Sequence, residues 1–180
     1  MTSNKFNLII DSDSDLDGKS PHNKIYVHPY FFDQGYEKNK KVIEKHWKDV
    51  SNFQKDNIYL EKIRLKILNN LKKLLNNFHK KNFSNRFWEI HLGYWIHSYS
   101  MMMLERWRIV DSLYSKEGTF YVDFKRFSEI DMIPQSLDEI NNIYYLNDYS
   151  AYLFYTIINE RNKSVKKFSI NYLDNKEFQI

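Results

Sequence analysis

Side chains that can do chemistry concentrate between Phe87 and Arg108, in the stretch FWEIHLGYWIHSYSMMMLERWR. This stretch holds three tryptophans, two histidines, three consecutive methionines and two arginines. A histidine can act as an acid or a base near neutral pH, and a guanidinium pairs with a carboxylate or a phosphate. Methionine and tryptophan also fill irregular protein cores. The stretch is therefore either a binding site or an unusually aromatic core.

Arg106 is the residue of this stretch whose position most clearly suggests a chemical role. At helical spacing it lies on an otherwise apolar stripe, close to Trp95 and Trp107. A guanidinium in such a place must pair with a carboxylate or bind an anion, because an unpaired buried charge is costly. Glu105 and Asp111 are the partners that the sequence offers. An internal ion pair and an anion site therefore both stay open.

No metal centre is expected from these residues. The six histidines form no HExxH motif, and His91 and His97 are six residues apart, which places them on different faces of a helix. The acidic loop at residues 13–18 matches the first half of an EF-hand calcium loop, but Lys24 stands where that loop needs a glutamate. The four glycines form no phosphate-binding motif. An ordinary hydrogen bond is the favoured role for each histidine.

The composition is typical of a folded protein without disulfides. The hydrophobic fraction of the 180 residues is 42% and the aromatic fraction is 17%. Because cysteine is absent, disulfides and thiolate nucleophiles are excluded, and the cytoplasm is the expected location. The lysines of residues 62–81 are expected on a solvated helix face, so no nucleic-acid partner is predicted. No apolar run approaches the roughly 18 residues of a spanning helix, so any membrane contact would be peripheral.

Two long helices must position these residues. Apolar side chains recur every three or four residues from 57 to 80, which predicts an amphipathic helix, and residues 87–108 are apolar around most of a helix. The sequence does not decide whether residues 42–56 form a helix or a strand. In the tail at 162–180 the apolar residues recur with no clear period. Three short strands are predicted at residues 5–10, 24–30 and 119–124. We therefore predict one helix-dominated α/β domain over residues 1–180, with both long helices packed on the strands.

Five motifs follow one another between residues 25 and 160. They are HWKD at 46–49, NNFHKKN at 76–82, SNRFWEIHLGYWIHSYSMMMLERW at 84–107, FYVDF at 120–124 and DYSAYLF at 148–154. In this order they resemble the N-terminal region of the O-antigen, or surface-polysaccharide, biosynthesis transferases of bacteria. Several rare residues coincide, which makes the resemblance more specific than any one motif.

The resemblance implies a glycosyl-type transferase whose fold is similar to the N-terminal lobe of a two-lobed, GT-B-like glycosyltransferase. It implies a nucleotide-sugar donor, an activated-sugar or lipid-linked substrate, and a cytoplasmic location, at most peripheral at the inner face of the membrane. Contacts to substrate or phosphate are predicted for His46, Arg86, His91 and Arg106. Structural roles are predicted for Trp47, Asp49, Trp88, Gly93, Trp95 and Trp107.

Members of the resembled family are several times longer, and their C-terminal half resembles the nucleotide-sugar lobe of two-lobed glycosyltransferases. We therefore expect this chain to be a truncated gene product, a lobe kept for binding, or a piece of a split enzyme completed by a second chain. The alternative belongs to another class of protein. It is a non-catalytic helical binding or assembly module whose aromatic surface docks a partner chain.

Overall fold

The computed structural model describes residues 4–10, 23–27, 41–125 and 147–173. The chain divides into two compact units, one formed by residues 1–44 and 109–180 and the other by residues 45–108. The acidic loop at 13–18 lies outside the described residues, as does the tail after residue 173. That the chain is one domain, with both long helices packed on the strands, stays a prediction.

The first unit contains a sheet of five parallel strands. They are β1 Lys5–Ile9, β2 Asn23–Val27, β3 Val42–Ile43, β4 Thr119–Lys125 and β5 Phe168–Leu173. Their spatial order is β3-β2-β1-β4-β5, and each neighbouring pair is parallel. The direction of strand addition reverses between β1 and β4, which is the arrangement of a doubly wound sheet.

The strands at the centre of this sheet are apolar because both of its faces are covered. Leu8 and Ile9 at the end of β1, and Ile10 directly after it, are consecutive aliphatic side chains that are each 1% exposed or less. On β4, Phe120, Val122 and Phe124 are fully buried. The Phe120 ring lies 5.5 Å from the ring of Phe168 on β5. This burial explains why β-branched and aromatic residues dominate the strands.

The second unit is a helical hairpin. It consists of a short 3₁₀ helix, His46–Lys48, followed by α1, Val50–His79, and by most of α2, Asn85–Tyr114. Leu68 of α1 packs with Trp88 and Ile96 of α2 to form its core. No helix that the structure describes is long and apolar enough to cross a membrane.

The turn of the hairpin is held by the side chain of Asn76. Its Oδ1 accepts hydrogen bonds from the Phe83 backbone N–H at 3.1 Å and from Trp88 Nε1 at 2.9 Å. Its Nδ2 donates to the Phe83 carbonyl at 3.0 Å. Lys80 ends α1 in the left-handed conformation, with φ of 52°. One asparagine therefore sets where α2 begins relative to α1.

A third helix, α3, runs from Asn147 to Ser164 in the first unit. Arg161 of α3 forms an ion pair with Asp111, near the end of α2. The Lys167 ammonium donates to the carbonyls of Tyr114 and Lys116. Tyr114 is the last residue of α2 and Lys116 lies just beyond it, where backbone carbonyls have no partner within the helix, so Lys167 caps the helix.

The predicted fold class, a helix-dominated α/β protein with few short strands, is confirmed. The strands predicted near residues 5–10, 24–30 and 119–124 correspond to β1, β2 and β4. Both long helices are present: α1 begins seven residues before its predicted start, and α2 extends beyond both of its predicted ends. The undecided segment at 42–56 contains β3, the 3₁₀ helix and the start of α1, and the tail contains β5, which the sequence did not predict.

Candidate functional site

The buried carboxylate of Asp56 forms the centre of the candidate site. Asp56 lies near the start of α1 and is 3% exposed. Trp47 Nε1 donates to Asp56 Oδ2 at 3.0 Å. From α2, Arg108 donates to Asp56 Oδ1 through Nη2 at 2.8 Å and through Nε at 3.2 Å. The carboxylate is therefore fixed by donors from the 3₁₀ helix and from α2.

His46 is the group of this site that can exchange a proton with a substrate. Its Nε2 lies 3.2 Å from Asp56 Oδ2, and its side chain is 27% exposed. When Nε2–H donates to the carboxylate, Nδ1 of the neutral imidazole keeps its lone pair. The pair can therefore accept a proton at Nδ1 while Asp56 stabilises the resulting imidazolium.

The electrostatics of the site keep Asp56 negatively charged. Burial by itself would raise the pKa of the Asp56 carboxyl. The hydrogen bonds from Arg108 and Trp47, together with the charges of Arg108 and His46, outweigh burial and hold this pKa below its ordinary value. Asp56 is thus a charged acceptor at neutral pH, as a group that orients a histidine must be.

The HWKD motif is built around the first turns of α1. The Asp49 side chain accepts a hydrogen bond from the Ser51 backbone N–H at 2.8 Å, which caps the helix and lowers the pKa of Asp49. Asn52 Nδ2 donates to the carbonyl of His46 at 3.4 Å. The capping geometry therefore places His46 and Trp47 over the second turn of α1, where Asp56 lies.

Arg106 is deeply buried in α2. It is 2% exposed, and its Nη1 donates to the carbonyl of Met102 at 3.2 Å. Burial raises the pKa of the neighbouring Glu105 carboxyl, and the charge of Arg106 acts against that rise. Asp111, the other partner that the sequence offered, pairs with Arg161. A role for Arg106 in substrate binding stays a prediction.

His91 lies in a different place, at an open pocket beside the turn of the hairpin. The pocket has a volume of about 450 Å³. It is lined by His79, Lys81, Phe83, Phe87, Trp88 and His91. The His91 ring lies 4.4 Å from the ring of Phe87, and Trp88, which also lines the pocket, is buried. Aromatic faces and basic groups therefore share this concavity.

The other predicted residues lie along α2. Arg86, in its first turn, is 76% exposed and pairs with Glu89 at 3.4 Å. Trp95 stacks on Tyr99 with ring centroids 5.4 Å apart, and Trp107 lines an apolar groove between the helices. The structure brings His46 and Trp47 together, whereas Arg86 and His91 lie at the other end of the hairpin. Their predicted substrate contacts remain untested.

Sequence reasoning missed the two residues that complete the site, Asp56 and Arg108. They are 52 residues apart in the chain, so no local motif joins them. One signal was present for Asp56, because it stands four residues before Leu60 on the apolar stripe of α1. A carboxylate on an apolar stripe requires a buried donor.

The strand order β3-β2-β1-β4-β5, with every neighbouring pair parallel, is that of a doubly wound α/β protein. The His46–Asp56 pair lies in the helical hairpin. The model of one family, described as LIC12162 family transferase, matches residues 8–179. The chain belongs to this family, which confirms the prediction of a transferase family. No curated protein and no solved structure matches the chain.

Proposed function

We propose that the chain is a glycosyl-type transferase, or the acceptor-side lobe of one, in bacterial surface-polysaccharide biosynthesis. The observation that carries this proposal is the His46–Asp56 pair in a member of a transferase family. Transfer of a sugar to a hydroxyl is accelerated by a base that removes the hydroxyl proton. His46 supplies that base.

In the proposed step, His46 Nδ1 accepts the proton of the acceptor hydroxyl. The acceptor oxygen bonds to the anomeric carbon of the donor sugar, and the bond from that carbon to the phosphate oxygen breaks, leaving its electron pair on the nucleotide. Asp56 stabilises the imidazolium, while Arg108 and Trp47 keep the carboxylate in place. Asp56, Arg108 and Trp47 are positioning residues in this scheme.

The order of the strands supports a nucleotide-sugar donor. Ligands of doubly wound sheets bind outside the carboxyl ends of the strands, where the strand order reverses. Here the reversal lies between β1 and β4. A phosphate contact from Arg106, a lipid-linked acceptor, a second chain that supplies a C-terminal lobe, and action in the cytoplasm complete the proposal. Arg86 and His91 lie at the other end of the hairpin from His46, so in this scheme they do not contact the donor phosphate.

A thermal-shift titration tests the donor. The whole chain is titrated with nucleotide sugars, free nucleotides and sugar phosphates, with and without magnesium. We expect one nucleotide sugar to stabilise the chain selectively, since a ligand at a hundred times its Kd adds about 2.7 kcal/mol. Equal responses to all nucleotides, or no response to any of them, would contradict the proposed donor.

The second candidate function is an assembly module that docks a partner chain. An apolar groove of about 390 Å³ between α1 and α2 favours it. The groove is lined by Tyr59, Leu60, Ile63, Ile67, Tyr99, Ser100, Met103, Leu104 and Trp107. Size-exclusion chromatography with light scattering distinguishes the candidates: a monodisperse monomer that binds no hydrophobic dye would remove the reason for docking.

A further inference from the structure

The charges of this chain are segregated along its sequence. Residues 62–88 contain eight Lys and Arg and no Asp or Glu, whereas the other 153 residues contain 19 Lys and Arg against 23 Asp and Glu. This basic segment covers the C-terminal three fifths of α1, the turn of the hairpin and the start of α2. Arg64 pairs with Glu61 and Glu89, and Arg86 also pairs with Glu89, so the excess positive charge of this segment rests on its six lysines. The small net charge of the whole chain therefore hides a local excess of positive charge at this end of the hairpin.

The same end of the hairpin exposes apolar side chains. Leu74 and Phe78 are 66% and 79% exposed, although both continue the apolar stripe of α1. Leu71 and Leu75, on the same stripe, pack against the core of the hairpin. Leu74 and Phe78 are four residues apart and therefore neighbours on the helix surface. They form an apolar patch beside the exposed Lys80 and Lys81.

We propose that this end of the hairpin, residues 72–88, docks on an anionic phospholipid membrane. Basic side chains are attracted to anionic headgroups, and an exposed aromatic ring with an aliphatic neighbour enters the headgroup boundary. Binding to a nucleic acid or an acidic protein would account for the charge but not for the exposure of Leu74 and Phe78. The contact is peripheral, because no described helix is long and apolar enough to cross a membrane.

Vesicle co-sedimentation tests the proposal with the whole chain. Phosphatidylcholine vesicles are compared with vesicles in which one third of the lipid is phosphatidylglycerol. We expect the anionic vesicles to bind the chain at least about tenfold more tightly, and added salt to weaken that binding. Equal binding to both vesicles, or binding to RNA without binding to anionic vesicles, would overturn the proposal.

Matched variants locate the surface. We expect Leu74→Ser/Phe78→Ser and Lys80→Glu/Lys81→Glu each to weaken binding by about tenfold. Ile58→Ser is the control for the apolar pair, because Ile58 lies on the same helix and is 65% exposed. Lys55→Glu is the control for charge.

The controls should bind like the original chain, and circular dichroism checks that every variant is folded. Control variants that lose as much affinity as the Leu74→Ser/Phe78→Ser and Lys80→Glu/Lys81→Glu variants would overturn the assignment of the surface. Because vesicle binding needs no donor and no turnover, its failure would leave the proposed transferase function untouched.

Discussion

At the scale of single residues, Asp56 makes the clearest prediction. Asp56→Asn keeps the shape of the side chain but removes the charge that Arg108, Trp47 and His46 contact. We expect the free energy of unfolding at pH 7 to fall by about 2 kcal/mol, as measured by urea unfolding. Asp49→Asn is the control, because asparagine also caps helices. An equal fall in the free energy of unfolding in Asp56→Asn and Asp49→Asn would contradict the central role of Asp56.

The pH dependence of this effect follows from the pKa of Asp56. Because the folded state lowers this pKa below its ordinary value of 3.8, the stabilisation is complete well above pH 3.8. It is lost as the pH falls through the folded pKa, where the carboxyl takes up a proton. The gap in stability between the original chain and Asp56→Asn should therefore narrow toward pH 3. A gap that stays constant from pH 7 to pH 3 would contradict the lowered pKa.

Alanine substitutions at two glycines should change the stability of the chain in opposite directions. Gly118 has φ of 114°, and a Cβ there would lie 2.5 Å from the Asn4 carbonyl oxygen, so Gly118→Ala should lower the melting temperature. At Gly93, in α2, a Cβ would meet its nearest neighbour at 3.5 Å. Gly93→Ala should therefore stabilise the chain by about 0.5 to 1 kcal/mol, because alanine favours helix. A large destabilisation by Gly93→Ala would contradict this prediction, because the distances around Gly93 leave room for a Cβ.

The sequence predicted part of the candidate site, and physical reasons account for the remainder. His46, Trp47 and Asp49 were singled out only because the HWKD motif resembles a motif of a transferase family. The contact of Arg108 with Asp56 depends on how α1 and α2 are aligned, and that alignment is a tertiary property. Asp56 itself could have been found, because a carboxylate on an apolar stripe needs a buried partner.

At the scale of secondary-structure elements, Asn76 sets the geometry of the hairpin. Asn76→Ala removes hydrogen bonds to the Phe83 backbone and to the Trp88 indole. We expect the free energy of unfolding to fall by about 2 kcal/mol, measured by urea unfolding. Asn77→Ala is the control, because Asn77 is exposed in the neighbouring position. If both variants lose the same stability, the side chain of Asn76 does not hold the turn.

The elements themselves were unequally predictable. The helices were found because their apolar positions repeat over many turns, whereas β3 has only two residues and gives no period. A signal for β5 was present, since Phe168, Ile170 and Tyr172 alternate with polar or small residues. Residues 42–56 stayed undecided because they contain three kinds of structure, each too short to show a pattern.

At the scale of the whole molecule, the helix-dominated α/β class was predictable, but the order of the strands was not. Strand order depends on which edges meet in space, and β1 and β4 are neighbours although more than a hundred residues separate them. The pairing of β4 with β5 likewise required the tail to be recognised as a strand. The doubly wound order, on which the proposed donor rests, therefore came from the structure alone.

The rate of sugar transfer in a His46→Gln variant tests the central claim most directly. Glutamine retains an N–H that can donate to Asp56 but cannot act as a base, so the fold and donor binding should persist while the rate falls by a factor of about 100 or more. His97→Gln, a histidine on α2 outside the site, is the control and should keep the full rate. The measurement is nucleotide release from the donor selected by thermal shift, in the presence of acceptor and of any second lobe. An unchanged rate in folded His46→Gln would contradict the account.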